Sequence, residues 1–374
     1  TLLHAVENSD RDQYVSRVTV AQLDPTADRS LDGAICRTSK WTRAERRQAG
    51  QAHRVDVPLE SHAEVPPPER RDDAVEQLTA QDASRLAELV PIRHGRMSAS
   101  AFTFYRGAAA VMASDLSKVP RTAVGVQLCG DAHLSNFGVF NGPDRRLVFD
   151  LNDFDETLPG PFEWDVKRLA ASVAIAGRNN EISDRKAEVA ARATVTAYRQ
   201  TLDEIAGLDP LALHYYRIEF EAIMAQLDRK ARERQQRAAA KATSRNSLRA
   251  FDRLTEVVDG QRRIVDDPPL VTRFDAFGDA TRDAATEFFG QYLQTLPLAR
   301  RRVLERYRLL DVAHKVVGVG SVGTRCLIVL LATGDDEPLF LQFKEATASV
   351  LEPYLGTSEF SFSGERVVQG PVSY

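Results

Sequence analysis

The densest group of reactive side chains in this 374-residue chain is Cys129-Gly-Asp-Ala-His-Leu-Ser-Asn136, followed closely by Phe149-Asp-Leu-Asn-Asp-Phe-Asp-Glu156. Carboxylates at 131, 150, 153, 155 and 156 repel one another unless a cation gathers them, and Asp and Asn oxygens suit Mg²⁺ in particular. Phosphoryl transfer asks for few parts. It needs a carboxylate to orient or deprotonate the acceptor hydroxyl, oxygen ligands for Mg²⁺, and a lysine and a glycine-rich loop for the phosphates. Asp131 with Asn136 has the D-x-x-x-x-N spacing of such a catalytic loop, and Asp153 follows at a strand end before Phe154. Asp131 is therefore expected to act as base, with Asn136 and Asp153 as Mg²⁺ ligands. Asp150 and Asp155 remain alternative ligands, because misplacing the strand end by one turn exchanges them with Asp153. His133 has three open roles: orienting the loop, touching substrate, or ligating metal. No second histidine lies nearby at zinc-ligand spacing.

The remaining parts come late in the chain. Gly318-Val-Gly-Ser-Val-Gly323 is a G-x-G-x-x-G string whose Gly318, Gly320, Ser321 and Gly323 can bring backbone N–H groups up to phosphates. The same string opens dinucleotide-binding helices, but Cys326-Leu-Ile-Val-Leu-Leu331 after it reads as strand, where a dinucleotide fold needs a helix. Lys344, in Phe340-Leu-Gln-Phe-Lys, is placed like the phosphate-pairing lysine on a kinase's third strand, serving both nucleotide binding and catalysis.

The elements that must carry these groups follow from periodicity. Residues 1 to about 75 are polar, with the Pro66-Pro67-Pro68 run, and read as an arm. Helical spacing runs over Asp73 to Val90 and again over Ala101 to Leu116. Val124–Cys129 and Arg146–Leu151 read as two strands flanking a polar loop, and the spacing from Asn136 to Asp153 suits a short hairpin. After Pro161 the pattern is helical over Trp164–Ile175, Arg185–Ile205, and Leu211 to about Val258 with interruptions. Cys326–Leu331 and Leu339–Lys344, joined by a turn at Gly334-Asp335-Asp336, read as a β-hairpin. The expected organisation is an arm (1–75), an α-rich catalytic lobe (76–310) and a β-rich nucleotide lobe (311–374), the last expected to be incomplete.

Some segments have ordinary explanations beside functional ones. Arg229, Lys230, Arg232, Arg234, Arg237, Lys241, Arg245 and Arg249 form a basic tract, either a solvated face or a surface for phosphate or an acidic partner. Asp165, Lys167 and Arg168 read as helix capping around a packed Trp164. Arg93, Arg96 and Arg106 are structural, or pair with carboxylates or phosphate.

Composition bounds the rest. With 49 Lys and Arg against 53 Asp and Glu, the net charge of −4 gives no reason to expect nucleic acid or an anionic membrane as partner. Cys36, Cys129 and Cys326 are too few and too scattered for a disulfide scaffold, and a reducing cytoplasm fits them. No apolar run approaches the roughly 18 residues needed to cross a bilayer.

Arg96-Met, Phe102-Thr-Phe-Tyr-Arg-Gly107, Cys129 to Gly138, Phe149 to Glu156 and Pro161-Phe-Glu-Trp-Asp165 resemble the bacterial family called domain of unknown function 2252 (DUF2252), over roughly residues 50 to 368. That family is similar to the protein-kinase-like superfamily, including aminoglycoside phosphotransferases and choline kinases. The resemblance implies an α+β, two-lobed kinase-like fold in circularly permuted order, since glycine loop and lysine follow the catalytic loop. It also implies ATP and Mg²⁺ as cofactors and a small-molecule or protein acceptor. Glu365 is the acid candidate for pairing the lysine. A nucleotide-binding pseudokinase, an adenylyl transferase and a metal-dependent hydrolase are the alternatives.

Overall fold

The computed structural model describes residues 2–3, 41–142, 144, 146–233, 236–237, 251, 253–273 and 279–370 of the chain. Most of the expected 1–75 arm therefore lies outside the described residues, as do Cys36, Arg234, Lys241, Arg245 and Arg249. The rest is a mixed α+β structure with small, chiefly antiparallel sheets.

In chain order the elements before the first acidic loop are β1 (Leu2–Leu3), α1 (Arg43–Asp56), α2 (Ala74–Asp82), α3 (Val90–Ser98), α4 (Ala101–Arg106), α5 (Ala109–Ser117) and β2 (Gly125–Leu128). Thr42 and Glu45 close a capping box on α1. The single helix expected over Ala101–Leu116 is two. It breaks at Gly107, which packs so tightly on Met97 that an added Cβ would lie 2.7 Å from its sulfur.

The segment expected to be catalytic is also more structured than a polar loop flanked by two strands. β3 (Phe137–Asn141) and β4 (Leu147–Leu151) form a hairpin, Phe137 facing Leu151, as the Asn136-to-Asp153 spacing suggests. β2 instead pairs with β5 (Leu158–Pro161), so the two expected strands belong to different sheets. Beneath both lies a core of Leu116, Leu128, Leu158, Trp164 and Leu351.

Two long helices follow, α6 (Glu163–Asn179) and α7 (Asp184–Ile205), packed on each other. The helical tract expected from Leu211 to Val258 is instead α8 (Pro210–His214), β6 (Ile218–Glu219), α9 (Phe220–Gln226) and then a hairpin, β7 (Thr255–Val258) with β8 (Gln261–Ile264). Its turn is Asp259-Gly260, both residues at positive φ, the two-residue geometry that an Asp-Gly pair favours. That dipeptide was the signal the helical pattern hid. In the basic tract, Arg229 pairs with Glu233, and Arg232 donates to the carbonyls of Met224 and Leu227, capping α9.

The last sheet runs β1, β12 (Pro338–Lys344), β11 (Cys326–Ala332), β10 (Arg308–Lys315) and β9 (Val271–Arg273), with β1 parallel to β12 and the other pairs antiparallel. The expected lobe boundary at 311 falls inside β10. α10 (Asp279–Thr295) covers this sheet through Phe289 and Tyr292, which with Leu296 just beyond it meet Val329, Leu331 and Phe343, and α11 (Leu298–Leu304) adds Leu304. The chain closes with α12 (Glu352–Leu355) and α13 (Ser363–Gln369). Cys129 and Cys326 are free and buried. Among the described residues no helix is long and apolar enough to cross a membrane.

Leu128 is fully buried three residues before Asp131. Leu128→Ala should cost about 2–5 kcal/mol of unfolding free energy, measured by chemical denaturation, because the cavity opens under the acidic loop.

Candidate functional site

The loop after β2 is built around a glycine. Gly130 has φ +84°, and a Cβ there would collide with the carbonyl oxygen of Glu156. Only glycine tolerates both the angle and the approach. The loop then fastens to itself: the N–H of His133 donates to the Asp131 carbonyl (2.9 Å), as does Asn136 Nδ2 (2.7 Å), and the N–H of Asn152 donates to the Asn136 carbonyl (2.8 Å).

One face of α6 grips it from below. Asp165 accepts the N–H groups of Cys129 (2.7 Å) and Gly130 (3.0 Å), Arg168 Nε donates to Asp131 Oδ1 (2.6 Å), and Ser172 Oγ accepts the N–H of Leu134 (3.1 Å). These positions fall at i, i+3 and i+7, a single helical stripe. Arg168 also lies over the Tyr105 ring, 4.5 Å from its centroid, and donates to the Tyr105 carbonyl. Capping and packing therefore account for Trp164, which is in the core, but not for Asp165 and Arg168. Buried polar residues repeating on one helix face after an acidic segment were the available signal. Lys167 points elsewhere, into a cavity of about 500 Å³ lined mainly by apolar side chains of α4, α5 and the 62–66 segment.

The second acidic segment is laced to the end of the chain. Glu156 Oε2 accepts the N–H of Val350 (2.7 Å), and its carbonyl accepts the Ser349 hydroxyl (2.8 Å). Arg366, 1% exposed on α13, donates to the carbonyls of Asp155, Thr157 and Thr347 at 2.7–2.9 Å. That helix thus reaches the acidic turn through its arginine, whereas Lys344 meets Asp155 and Asp153 rather than the expected Glu365. The Lys344 ammonium lies 3.5 Å from Asp155 Oδ2 and 3.9 Å from Asp153 Oδ2.

The glycine-rich loop joins β10 to β11 and is pinned by valines. Val319 packs with Leu78, Met97 and Val111, while Val316 and Val322 pack with Leu89. Arg96 donates to the Gly318 carbonyl (2.8 Å), Arg85 to that of Val322 (2.6 Å), and the N–H of Leu86 to that of Gly323 (2.9 Å). Gly318 has φ +69°, and Ser321 Oγ donates to the Val317 carbonyl. Among the described residues the N–H groups of Val319, Gly320 and Ser321 meet no acceptor. Successive free N–H groups in a turn suit an anion.

These segments share one polar cavity of about 140 Å³, lined by Asp131, His133, Asn136, Asp153 and Asp155 on one wall and Gly318, Gly320 and Ser321 on the other. Arg85, Arg106, Glu156 and Glu345 also line it. Three expected residues are not there. Lys344 meets Asp153 and Asp155 but does not itself line the cavity. Asp150 is exposed in mid-strand on β4, opposite Gly138, and Gly323 packs against Arg85 outside the cavity wall. Arg93, expected as structural or pairing, is fully buried on Asp82. Arg85, Glu345 and Arg366 were not singled out from the sequence, since nothing local distinguishes them from other surface-type charges.

Crowding shifts the acids. Burial, reinforced by Asp153, pushes Asp155 up to about 6, and burial pushes Glu156 to about 7 and Asp165 to about 6. Burial works against the charge on Lys344, but Asp155 and Asp153 raise its pKa above the ordinary lysine value. His133, 3% exposed, is pulled down by burial, Asp131 opposing, and so is neutral at pH 7, its Nε2 3.6 Å from Asp131 Oδ2 and its Nδ1 unpartnered.

A family model described as "Uncharacterized protein conserved in bacteria (DUF2252)" matches residues 85–371, beginning later than the expected residue 50. No curated protein and no solved structure matches the chain.

The raised acids give a pH signature. Their folded pKa values lie above the ordinary values of 3.8 and 4.5, so they favour the fold while protonated, and that contribution is lost as pH rises from about 4 to about 7. Thermal melting of the metal-free protein should show a component that declines across this window, and Asp165→Asn should flatten it.

Proposed function

Since the chain belongs to the DUF2252 family, whose description names no reaction, we propose from the cleft itself that it is a kinase-like, ATP- and Mg²⁺-dependent phosphotransferase. The observation that carries this reading is convergence. Asp131, Asn136 and Asp153 share a cavity with the Gly318–Ser321 turn, and Lys344 stands beside Asp153 and Asp155. In this reading the fold is a circularly permuted kinase-like one, the α-rich part first and the sheet bearing glycine loop and lysine last.

The residues fit the groups they would hold. Among the described residues no three His, Cys, Asp or Glu side chains form a metal cage. Mg²⁺ asks for less, since one or two carboxylates plus substrate phosphates and water commonly hold it. Asp153 and Asn136 supply oxygens, and Asp155 is the adjacent alternative. Asp153 is held in place by the N–H of Asp155, 3.1 Å from its Oδ1. The free N–H groups of the glycine turn and the Lys344 ammonium suit phosphate oxygens.

When bound, Mg²⁺-ATP supplies the γ-phosphoryl group and a cation that spreads its charge. Asp131, fixed by Arg168, orients the acceptor hydroxyl and takes its proton. The hydroxyl oxygen bonds to the γ-phosphorus as the bond to the bridging β-oxygen breaks, and ADP leaves with that electron pair. His133 shapes the loop and stays neutral.

Wild-type protein should bind ATP in a Mg²⁺-dependent manner by calorimetry, and Asp153→Ala should weaken this by about tenfold or more, the size of a lost charged contact. Turnover should release ADP. Release of pyrophosphate would indicate adenylyl transfer, binding without turnover a pseudokinase, and hydrolysis of phosphate or carboxyl esters that needs Asp153 but not Gly318 or Gly320 a hydrolase. Absence of ATP binding by the wild type removes the proposal.

A further inference from the structure

One cation in the cleft is left over after every other charge is assigned. Arg168 is committed to Asp131, Arg85 to the Val322 carbonyl, Arg366 to three backbone carbonyls, and Lys344 to Asp155. Arg106, the last residue of α4, lines the same cavity, yet among the described residues its side chain makes no hydrogen bond and no ion pair at any nitrogen, whereas Arg85 and Arg366, whose Nε atoms are likewise buried without a partner, donate through their other nitrogens. A guanidinium offers five donors and is costly to desolvate unpaired. Native proteins rarely leave such a group orphaned unless something absent from the bare chain completes it.

Its position indicates what. The backbone of Arg106 touches the tip of the glycine turn, since a Cβ on Gly320 would lie 3.3 Å from the Arg106 carbonyl oxygen. Its side chain faces the wall that holds Asp131 and His133, close enough for its charge to act on the imidazole. Arg106 therefore stands between the turn that cradles phosphates and the carboxylate that orients the acceptor. The buried Nδ1 of His133, also without a partner, is on the same wall. Two unused polar groups lining one cavity, one of them permanently cationic and close enough to act on the other, suit an oxyanion.

Resting on the phosphotransferase reading above, we propose that Arg106 contacts the γ-phosphoryl group itself, a catalytic residue supplied from the N-terminal helices rather than from the catalytic loop or the sheet. As the acceptor oxygen closes on the γ-phosphorus and the bond to the β-oxygen breaks, charge spreads over the three equatorial oxygens and the departing bridge oxygen. A planar guanidinium can donate to two of these oxygens at once, which a lysine ammonium does as a point charge only. The proton of the acceptor still passes to Asp131, and Arg106 gains and loses none. His133 Nδ1 offers a neutral hydrogen-bonding group to the same oxygens without adding charge.

The assignment separates ATP from ADP, because only ATP carries the group that Arg106 touches. Calorimetric affinities for Mg²⁺-ATP and Mg²⁺-ADP are measured on wild type, Arg106→Gln and Arg106→Lys, along with slow transfer of the γ-phosphoryl group to water. In Arg106→Gln the ATP affinity should fall by about tenfold or more while ADP affinity stays at the wild-type value, and hydrolysis should fall on the order of 10³-fold. Arg106→Lys should recover part of the ATP affinity and little of the rate. Unchanged ADP affinity and an unchanged melting temperature establish that the variants fold. A variant that retains the wild-type preference for ATP over ADP, or loses both nucleotides equally, overturns the role of Arg106 alone. A wild type that binds neither nucleotide overturns the phosphotransferase reading, and this inference with it.

Discussion

Several half-buried carboxylates crowded around one small cavity must each find compensation, and much of the architecture of this chain follows from how that is arranged. Asp131 is neutralised by Arg168, 37 positions away, and Asp155 and Asp153 by Lys344. Glu156 takes the N–H of Val350, 194 positions away, and Arg366 reaches back 211 positions to the Asp155 carbonyl. Each of these half-buried acids would be less favourable in a chain lacking the compensating segment, because partly desolvated charge without a partner is costly. Helix α6, the end of β12 and helix α13 are therefore electrostatically tied to the acidic turn, in addition to any packing they contribute.

The compensation is incomplete. Asp155, Glu156 and Asp165 remain shifted upward by burial, so in the metal-free protein part of the negative charge is relieved by protons rather than by cations. A divalent ion near Asp153 and Asp155 would displace that proton and remove the mutual repulsion. On the phosphotransferase reading proposed above, the acidic wall would take the cation, and the glycine turn and Arg106, whose donors are unmatched among the described residues, the anion.

The glycine turn shows how packing sharpens a weak motif. A G-x-G-x-x-G string constrains little by itself, yet here Val316, Val319 and Val322 alternate with the glycines and bury into two clusters on the N-terminal helices. Arg96 and Arg85 fix its carbonyls, and among the described residues the N–H groups of Val319, Gly320 and Ser321 meet no acceptor. The turn is thus held in place by packing and hydrogen bonds from the chain itself.

Local sequence determined a good deal. The D-x-x-x-x-N loop, the acidic segment at a strand end, the glycine string followed by strand, and the lysine-bearing hairpin were all legible, because each depends on short-range spacing, turn chemistry or alternation. So was the pairing of distant segments in outline, since a lone acidic cluster and a lone glycine loop each lack what the other has. Tertiary structure decided which of three neighbouring aspartates face the cavity, turning Asp150 outward and Asp153 and Asp155 inward, because the end of β4 sets the parity of the chain there. It also decided that Gly323 packs on Arg85 outside the cavity lining, that β2 pairs with β5, and that Arg85 fixes the glycine turn, Arg168 pairs with Asp131 and Arg366 caps the acidic turn. An arginine's role depends on which groups lie within a few ångströms of its guanidinium, and contacts made across 37 to 237 residues leave no trace in local periodicity.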